Sequence, residues 1–104
     1  MADEFENDQG AVITEDKVRV KKPDLFRVLL HNDDYTPMDF VVDILINIFR
    51  KSHSQATQIM LSVHNQGHGI CGQYPFDIAE TKVAQVTEAA RDSEYPLKCT
   101  LERV

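Results

Sequence analysis

A run of polar side chains, NDDYT at positions 32–36, lies between a β-prone segment and the start of a predicted helix. The amide oxygen of Asn32 and the carboxylate of Asp33 are acceptors that suit an ammonium group, because charge-assisted hydrogen bonds are the stronger ones. Binding residues are often carried on such loops. Asn and Asp also favour turns, so a purely structural turn is the alternative. The acids here lack the alternating spacing and the bend glycine of a calcium loop.

A second cluster lies near the end of a predicted helix, where Met60, Val63 and His64 share one helical face. A flexible methionine suits an apolar pocket that admits more than one kind of side chain. The alternatives are an ordinary core stripe and a solvated histidine that pairs with the last helix carbonyls. The cluster therefore indicates either an apolar binding pocket or part of the core.

Three residues of metal-binding type, His64, His68 and Cys71, follow each other with the spacing H-x3-H-x2-C. All three types bind zinc, and a Cys–His pair can act as a nucleophile. A fourth ligand is missing nearby, and the apolar surroundings of Cys71 favour a buried thiol. No phosphate-binding loop, nucleophile elbow or paired C-x-x-C motif is present. We expect no enzymatic activity, no metal and no cofactor, with a small zinc or thiol protein as the alternative.

Three helices are predicted from apolar residues that recur with a 3.6-residue period. We expect Thr36 to cap the first helix, with Pro37 at its first position, and Gly67 to end the second. The expected bounds are Thr36 to Arg50–Lys51, Ser52 or Ser54 to Gly67, and Phe76 to Arg91.

Three strands complete the pattern, at residues 25–31, 68–74 and 97–104. The resulting order is strand, helix, helix, strand, helix, strand within residues 23–104. This order predicts an α+β domain whose helices pack on one face of the sheet. Residues 1–22 carry six acids followed by a basic run and few large apolar residues, and we expect a flexible tail.

Composition excludes several classes of protein. A chain of 104 residues favours one domain, and no apolar run is long enough to span a membrane. The acidic start lacks the apolar core of a secretory signal, and two cysteines are too few for a disulfide scaffold. A net charge of −6 argues against a nucleic-acid binder. We expect a cytoplasmic protein that binds neither membrane nor nucleic acid.

Two segments, NDDYTPM at 32–38 and MLSVHNQGHGICG at 60–72, resemble the signature of the ClpS adaptor family at this spacing. The segments AETKV at 79–83 and YPLKCTLE at 95–102 are similar to that family as well. The resemblance covers residues 25–104. It implies a non-enzymatic adaptor with a three-stranded antiparallel sheet and three helices.

The resemblance also implies a task and a site. Members bind proteins whose N-terminal residue is Leu, Phe, Tyr or Trp and pass them to the AAA+ unfoldase ClpA, which feeds the ClpP protease. By resemblance, Asn32 and Asp33 accept hydrogen bonds from the ligand ammonium, His64 closes the site, and Met38 excludes β-branched side chains. The implied side-chain pocket is lined by Thr36, Met38, Val41, Ile44, Met60, Val63 and Leu97.

Docking to the unfoldase is implied for Asp77, Glu80 and Lys82 at the start of the third helix, where ordinary solvated charges are the alternative. The tail would enter the unfoldase pore during delivery. We expect a monomer. A structural interaction domain is a further alternative, because the fold also resembles the C-terminal domain of a ribosomal stalk protein.

Overall fold

The computed structural model describes residues 22–104, so the predicted tail lies outside the described residues except for Lys22. The predicted α+β class and the order of elements are confirmed. The elements are β1 (Leu25–His31), α1 (Met38–Asn47), α2 (His53–Gln66), β2 (His68–Pro75), α3 (Phe76–Asp92) and β3 (Lys98–Arg103). No helix within residues 22–104 has the length and apolar character needed to cross a membrane.

The sheet has three antiparallel strands in the order β2-β1-β3, so β1 is the central strand. Side chains alternate across β1 because successive residues of a strand point to opposite faces. Val28 and Leu30 are fully buried and belong to the hydrophobic core, whereas Leu29, which is 7% exposed, and the half-buried His31 lie outside that cluster. Within residues 22–104 the helices therefore cover one face of the sheet, and no helix covers the other.

The core joins the covered face of the sheet to all three helices. Removing this apolar surface from water is the main favourable term that holds the layers together. Its buried members are Val28, Leu30, Val41, Ile44, Leu45, Phe49, Ala56, Val63, Cys71, Ala79, Val86, Ala90, Leu97 and Cys99.

The helix α2 has well-defined ends. The Ser52 side chain accepts a hydrogen bond from the Gln55 backbone N–H, and the Gln55 side chain accepts one from the Ser52 backbone N–H, each at 3.1 Å. This reciprocal capping box satisfies two backbone donors that have no partner within the helix. Of the two predicted starts, Ser52 is the one observed. Gly67 ends the helix with a φ of 93°, a left-handed conformation that glycine adopts without a steric cost.

The helix α2 also lies unusually close to the start of β2. A Cβ atom placed on Gly69 would come within 2.8 Å of Val63 Cγ2 and 3.1 Å of the Ile59 carbonyl oxygen. Gly69 thus lets the end of α2 approach the strand that follows it.

The start of α1 differs from the prediction by one residue, and its end differs by about three. The helix begins at Met38, and its N-cap position is taken by Pro37, which makes no side-chain cap. Thr36 does not cap it, because its hydroxyl donates to Asp33 instead. The helix ends at Asn47 rather than at Arg50–Lys51, since Arg50 adopts a left-handed φ of 57° and the chain turns away.

The uncovered face of the sheet carries a row of basic side chains at one end. His31 lies opposite His68 on β2 and opposite Lys98 on β3. Burial, together with the positive charges of Lys98 and His68, lowers the pKa of His31 from its usual value. Towards the other end of this face, Arg27 forms an ion pair with Glu102 at 3.0 Å.

Candidate functional site

The candidate site lies where β1 ends and the chain turns towards α1. The backbone N–H of Asn32 donates to the carbonyl oxygen of Gly67 at 2.9 Å, which ties this loop to the end of α2. His64 lies in the last turn of α2 and is exposed. One backbone bond thus brings the loop with Asn32 and Asp33 against the helix end that carries His64.

Asp33 is held by three hydrogen bonds within its own loop. Its Oδ1 accepts from the backbone N–H groups of Tyr35 at 2.8 Å and Thr36 at 2.7 Å, and its Oδ2 accepts from the Thr36 hydroxyl at 2.8 Å. Partial burial works to raise the pKa of Asp33, but the bonds from Thr36 and Tyr35 outweigh it and hold the pKa below its usual value. The carboxylate is therefore a fixed negative charge.

Asp33 also keeps capacity for a ligand. An ionised carboxylate offers about four acceptor positions, and the loop occupies three of them. The remaining position is on Oδ2. Asn32 is exposed, and within the described residues its side chain makes no hydrogen bond, which leaves a second oxygen for a donor. These two oxygens and the exposed His64 ring suit a small cation with several N–H donors.

The residues of the predicted side-chain pocket divide into a buried and an exposed set. Four of them belong to the hydrophobic core, and Met60 packs against it. Met38 is 45% exposed at the start of α1, and Thr36 is half-buried in the loop before it. The predicted lining thus combines buried aliphatic side chains with the more exposed Met38 and Thr36. The four core members are Val41, Ile44, Val63 and Leu97.

The predicted docking residues do not form one uniform surface. Asp77 and Glu80 are exposed on the first turns of α3, next to Ile78, which is 45% exposed. Lys82 is half-buried, and its ammonium donates to the Ile48 carbonyl oxygen at 2.7 Å just beyond the end of α1. Sequence reasoning missed the exposed Ile78, because an isoleucine in an amphipathic helix is ordinarily assigned to the core.

The ammonium of Lys82 also lies over two aromatic rings, 6.0 Å from the centroid of Phe49 and 5.9 Å from that of Tyr74. A cation in this position is attracted by the negative face of each ring. Lys82 thus joins α3 to the end of α1 and to β2. Two of its partners, Ile48 and Phe49, are more than 30 residues away in sequence, so no local pattern indicates this role.

The triplet His64, His68 and Cys71 is not assembled into a site. Cys71 is fully buried on the covered face of the sheet. Burial and the nearby Cys99 thiol raise its pKa well above the usual range and outweigh the lowering by the charge of Lys51. His68 is exposed on the opposite face of the same strand. Within the part of the chain that the structure describes, no three His, Cys, Asp or Glu side chains are grouped to hold a metal ion.

Replacing Thr36 by valine tests the anchoring of Asp33. The change removes the hydroxyl donor to Oδ2, and we expect the free energy of unfolding at neutral pH to fall by about 1 kcal/mol. Because the folded-state pKa of Asp33 lies below its unfolded value, the stabilisation is present above about pH 4 and is lost as the pH falls through the folded-state pKa. Urea unfolding from pH 7 to pH 2 measures this.

The difference between wild type and Thr36→Val should therefore shrink in acid. Thr81→Val is a matched control, since its hydroxyl donates to the neutral Asp77 backbone carbonyl at 3.0 Å and its effect should not change with the ionisation of Asp33. An equal, pH-independent loss in both variants would show that the Thr36 hydroxyl does not stabilise the charged form of Asp33.

Comparison with known proteins agrees with this architecture. Residues 21–100 match the family described as the ATP-dependent Clp protease adaptor protein ClpS. A ClpS adapter protein of Shewanella piezotolerans is 61% identical over 83 residues, covering 80% of this chain and 81% of the relative. One of Phenylobacterium zucineum is 52% identical over an alignment of 108 residues, covering 99% of each chain.

A solved structure shows the same fold. The structure of Agrobacterium tumefaciens ClpS2 bound to L-phenylalaninamide superimposes with a TM-score of 0.77 at 36% sequence identity, covering 80% of this chain and all of that one. The family match spans most of the chain and includes both the loop with Asn32 and Asp33 and the helix end with His64. This chain belongs to the ClpS family, the adaptor proteins of the ATP-dependent Clp protease.

Proposed function

We propose that this adaptor binds polypeptides with a free N-terminal Leu, Phe, Tyr or Trp and delivers them to the AAA+ unfoldase ClpA for degradation by ClpP. The observation that supports the proposal most is the anchored Asp33 carboxylate, which keeps one acceptor position beside the exposed Asn32. The related ClpS2 is bound to L-phenylalaninamide, a ligand with a free α-amine and an apolar side chain.

An N-terminal residue differs from every internal residue by its α-ammonium group. In the proposed complex, Asn32 Oδ1, Asp33 Oδ2 and the ring of His64 accept the N–H donors of that group. A hydrogen bond to a charged group contributes about 1.5–3 kcal/mol. An internal amide nitrogen has one donor and no charge, so the site selects for the chain terminus.

The first side chain enters between the start of α1 and the middle of α2. Its aliphatic floor comes from Val41 and Val63, which are already in the core, while the flexible Met60 adapts to rings and branched chains. Burying about 150 Å² of an aromatic side chain at about 25 cal/mol per Å² contributes roughly 4 kcal/mol. Together with the ammonium bonds, and after the entropy of association, this supports micromolar affinity.

Delivery requires a second surface, and we propose the first turns of α3 for it. Asp77 and Glu80 present two exposed carboxylates beside the exposed Ile78, a combination of apolar centre and charged rim that is typical of protein interfaces. Lys82 contributes here by holding α3 against the end of α1. The protein itself needs no catalytic group for this task, in keeping with the family's description as adaptors.

Peptides that differ only in their first residue test the proposal. We expect fluorescence anisotropy to show micromolar binding for Phe, Leu, Tyr and Trp, and an affinity for N-acetyl-Phe that is lower by about 100-fold, because acetylation removes the charge and two donors. An Ala peptide serves as the control for the side chain. Equal binding of the acetylated and free Phe peptides would contradict the role of Asn32, Asp33 and His64.

The rim residue Met38 is expected to set which side chains enter. In the wild type, peptides that begin with Ile or Val should bind poorly, because a branch at Cβ meets Met38 at the mouth of the pocket. Met38→Ala should admit both with little change for Phe. Leu61→Ala, which removes a similarly exposed apolar side chain from α2, is the control. If Ile and Val peptides remain unbound by Met38→Ala, Met38 is not the gate.

The docking surface is tested by separating delivery from substrate binding. We expect Asp77→Ala combined with Glu80→Ala to slow the ClpA–ClpP degradation of a protein with N-terminal Phe while leaving the affinity for the Phe peptide unchanged. Asp92→Ala, an exposed acid at the other end of α3, is the matched control. Undiminished degradation with the double variant would place the unfoldase contact elsewhere.

A further inference from the structure

His31 and His68 face each other across the paired strands β1 and β2. The next pair along the two chains, Asn32 and Gly67, is joined by a backbone hydrogen bond. In antiparallel strands, hydrogen-bonded residue pairs alternate with pairs that are not hydrogen-bonded. His31 and His68 therefore occupy a non-bonded position, where the Cα atoms are about 4.5 Å apart and the side chains are closest. The two imidazole rings start from neighbouring points on the sheet.

Both rings lie on the face of the sheet that the helices leave uncovered. His68 is exposed, and His31 is half-buried. Their neighbours on this face include the exposed Ile70, so the pair is open to solvent and to solutes. Neither ring contributes to the proposed binding of the α-amine, for which His64 on α2 is the histidine used.

The ring of His31 is oriented by Thr100 on the opposite neighbour strand, β3. Its Nε2 lies 2.7 Å from the Thr100 hydroxyl oxygen. The two nitrogens of an imidazole ring direct their lone pairs away from each other, so Nδ1 points away from the bond to Thr100. The strand β2, which carries His68, is the neighbour of β1 on the side opposite to β3. When the hydroxyl accepts the Nε2 proton, Nδ1 keeps its lone pair. Histidines that bind metals are commonly held in this way, with the second nitrogen donating to an oxygen.

We propose that His31 and His68 chelate a divalent first-row transition metal of the zinc and nickel class on the uncovered face of the sheet. Imidazole nitrogen is a favoured ligand for these ions, and two rings at adjacent positions can bind one ion together. Water completes the coordination, because no third protein ligand is grouped with them in the described residues. The affinity is accordingly below that of a four-ligand structural zinc site.

The charge of Lys98 provides a second test of the metal site, independent of the two histidines. Lys98 lies opposite His31 on β3, and its ammonium repels a bound cation. Removing this charge should therefore strengthen metal binding, whereas removing the Thr100 hydroxyl should weaken it by releasing the His31 ring. An adventitious metal site elsewhere on the protein would respond to neither change.

Calorimetric titration of the full chain with zinc chloride, without chelating buffer, tests the proposal. We expect one ion per chain in the micromolar range, with the affinity reduced at least about tenfold in His31→Gln and in His68→Gln. His53→Gln, which changes an exposed histidine at the start of α2, is the matched control and should leave the affinity unchanged.

Lys98→Gln should raise the affinity several-fold, and Thr100→Val should lower it. Since Lys98 is exposed, its replacement keeps the fold intact and gives an answer even if a histidine variant is unstable. The proposal is wrong if the wild type binds no zinc below millimolar concentration, if either His31→Gln or His68→Gln binds like the wild type, or if Lys98→Gln gains nothing.

Discussion

The hydrogen bond from the Asn32 N–H to the Gly67 carbonyl oxygen, at 2.9 Å, is the contact on which the candidate site depends. It is the last rung between the central strand β1 and the segment that leads into β2, and it joins two parts of the chain that are distant in sequence. Because Gly67 also ends α2 in a left-handed conformation, the same rung positions the helix end that carries His64. The pairing of β1, the end of α2 and the geometry of the candidate site therefore all depend on the backbone of Gly67.

Asp33 shows how stability and binding share a single carboxylate. Three of its acceptor positions hold the loop together, and the bonds from Thr36 and Tyr35 keep the group ionised. An exposed aspartate without these bonds would carry the same charge but would lose side-chain entropy on meeting a ligand. Here that entropy is already lost on folding, so the proposed ammonium site is preorganised.

The sequence predicts those features of the fold that depend on residues close together in the chain, such as strand bounds and helix ends. The bounds of β1 and the terminating Gly67 follow from β propensity and glycine conformation, and the structure agrees with them. The sequence leaves the start of α2 open between Ser52 and Ser54, and the capping box selects Ser52. The sequence favours Thr36 as a helix cap, because the competing hydrogen bond from its hydroxyl to Asp33 depends on the loop geometry. The Lys82–Ile48 contact and the pairing of His31 with His68 depend on long-range packing and strand register, which no short spacing encodes.

The two proposed binding surfaces are separated by the length of one strand. The strand β2 begins at His68, close to the proposed amine site, and ends at Pro75, immediately before α3 and Asp77. Its eight residues, at about 3.4 Å each, place the two ends more than about 20 Å apart. A ligand held at the first end therefore leaves the second end accessible. Lys82 ties α3 to the end of α1, so the two surfaces keep a fixed orientation through packed elements, and an adaptor built this way can hold both partners at once.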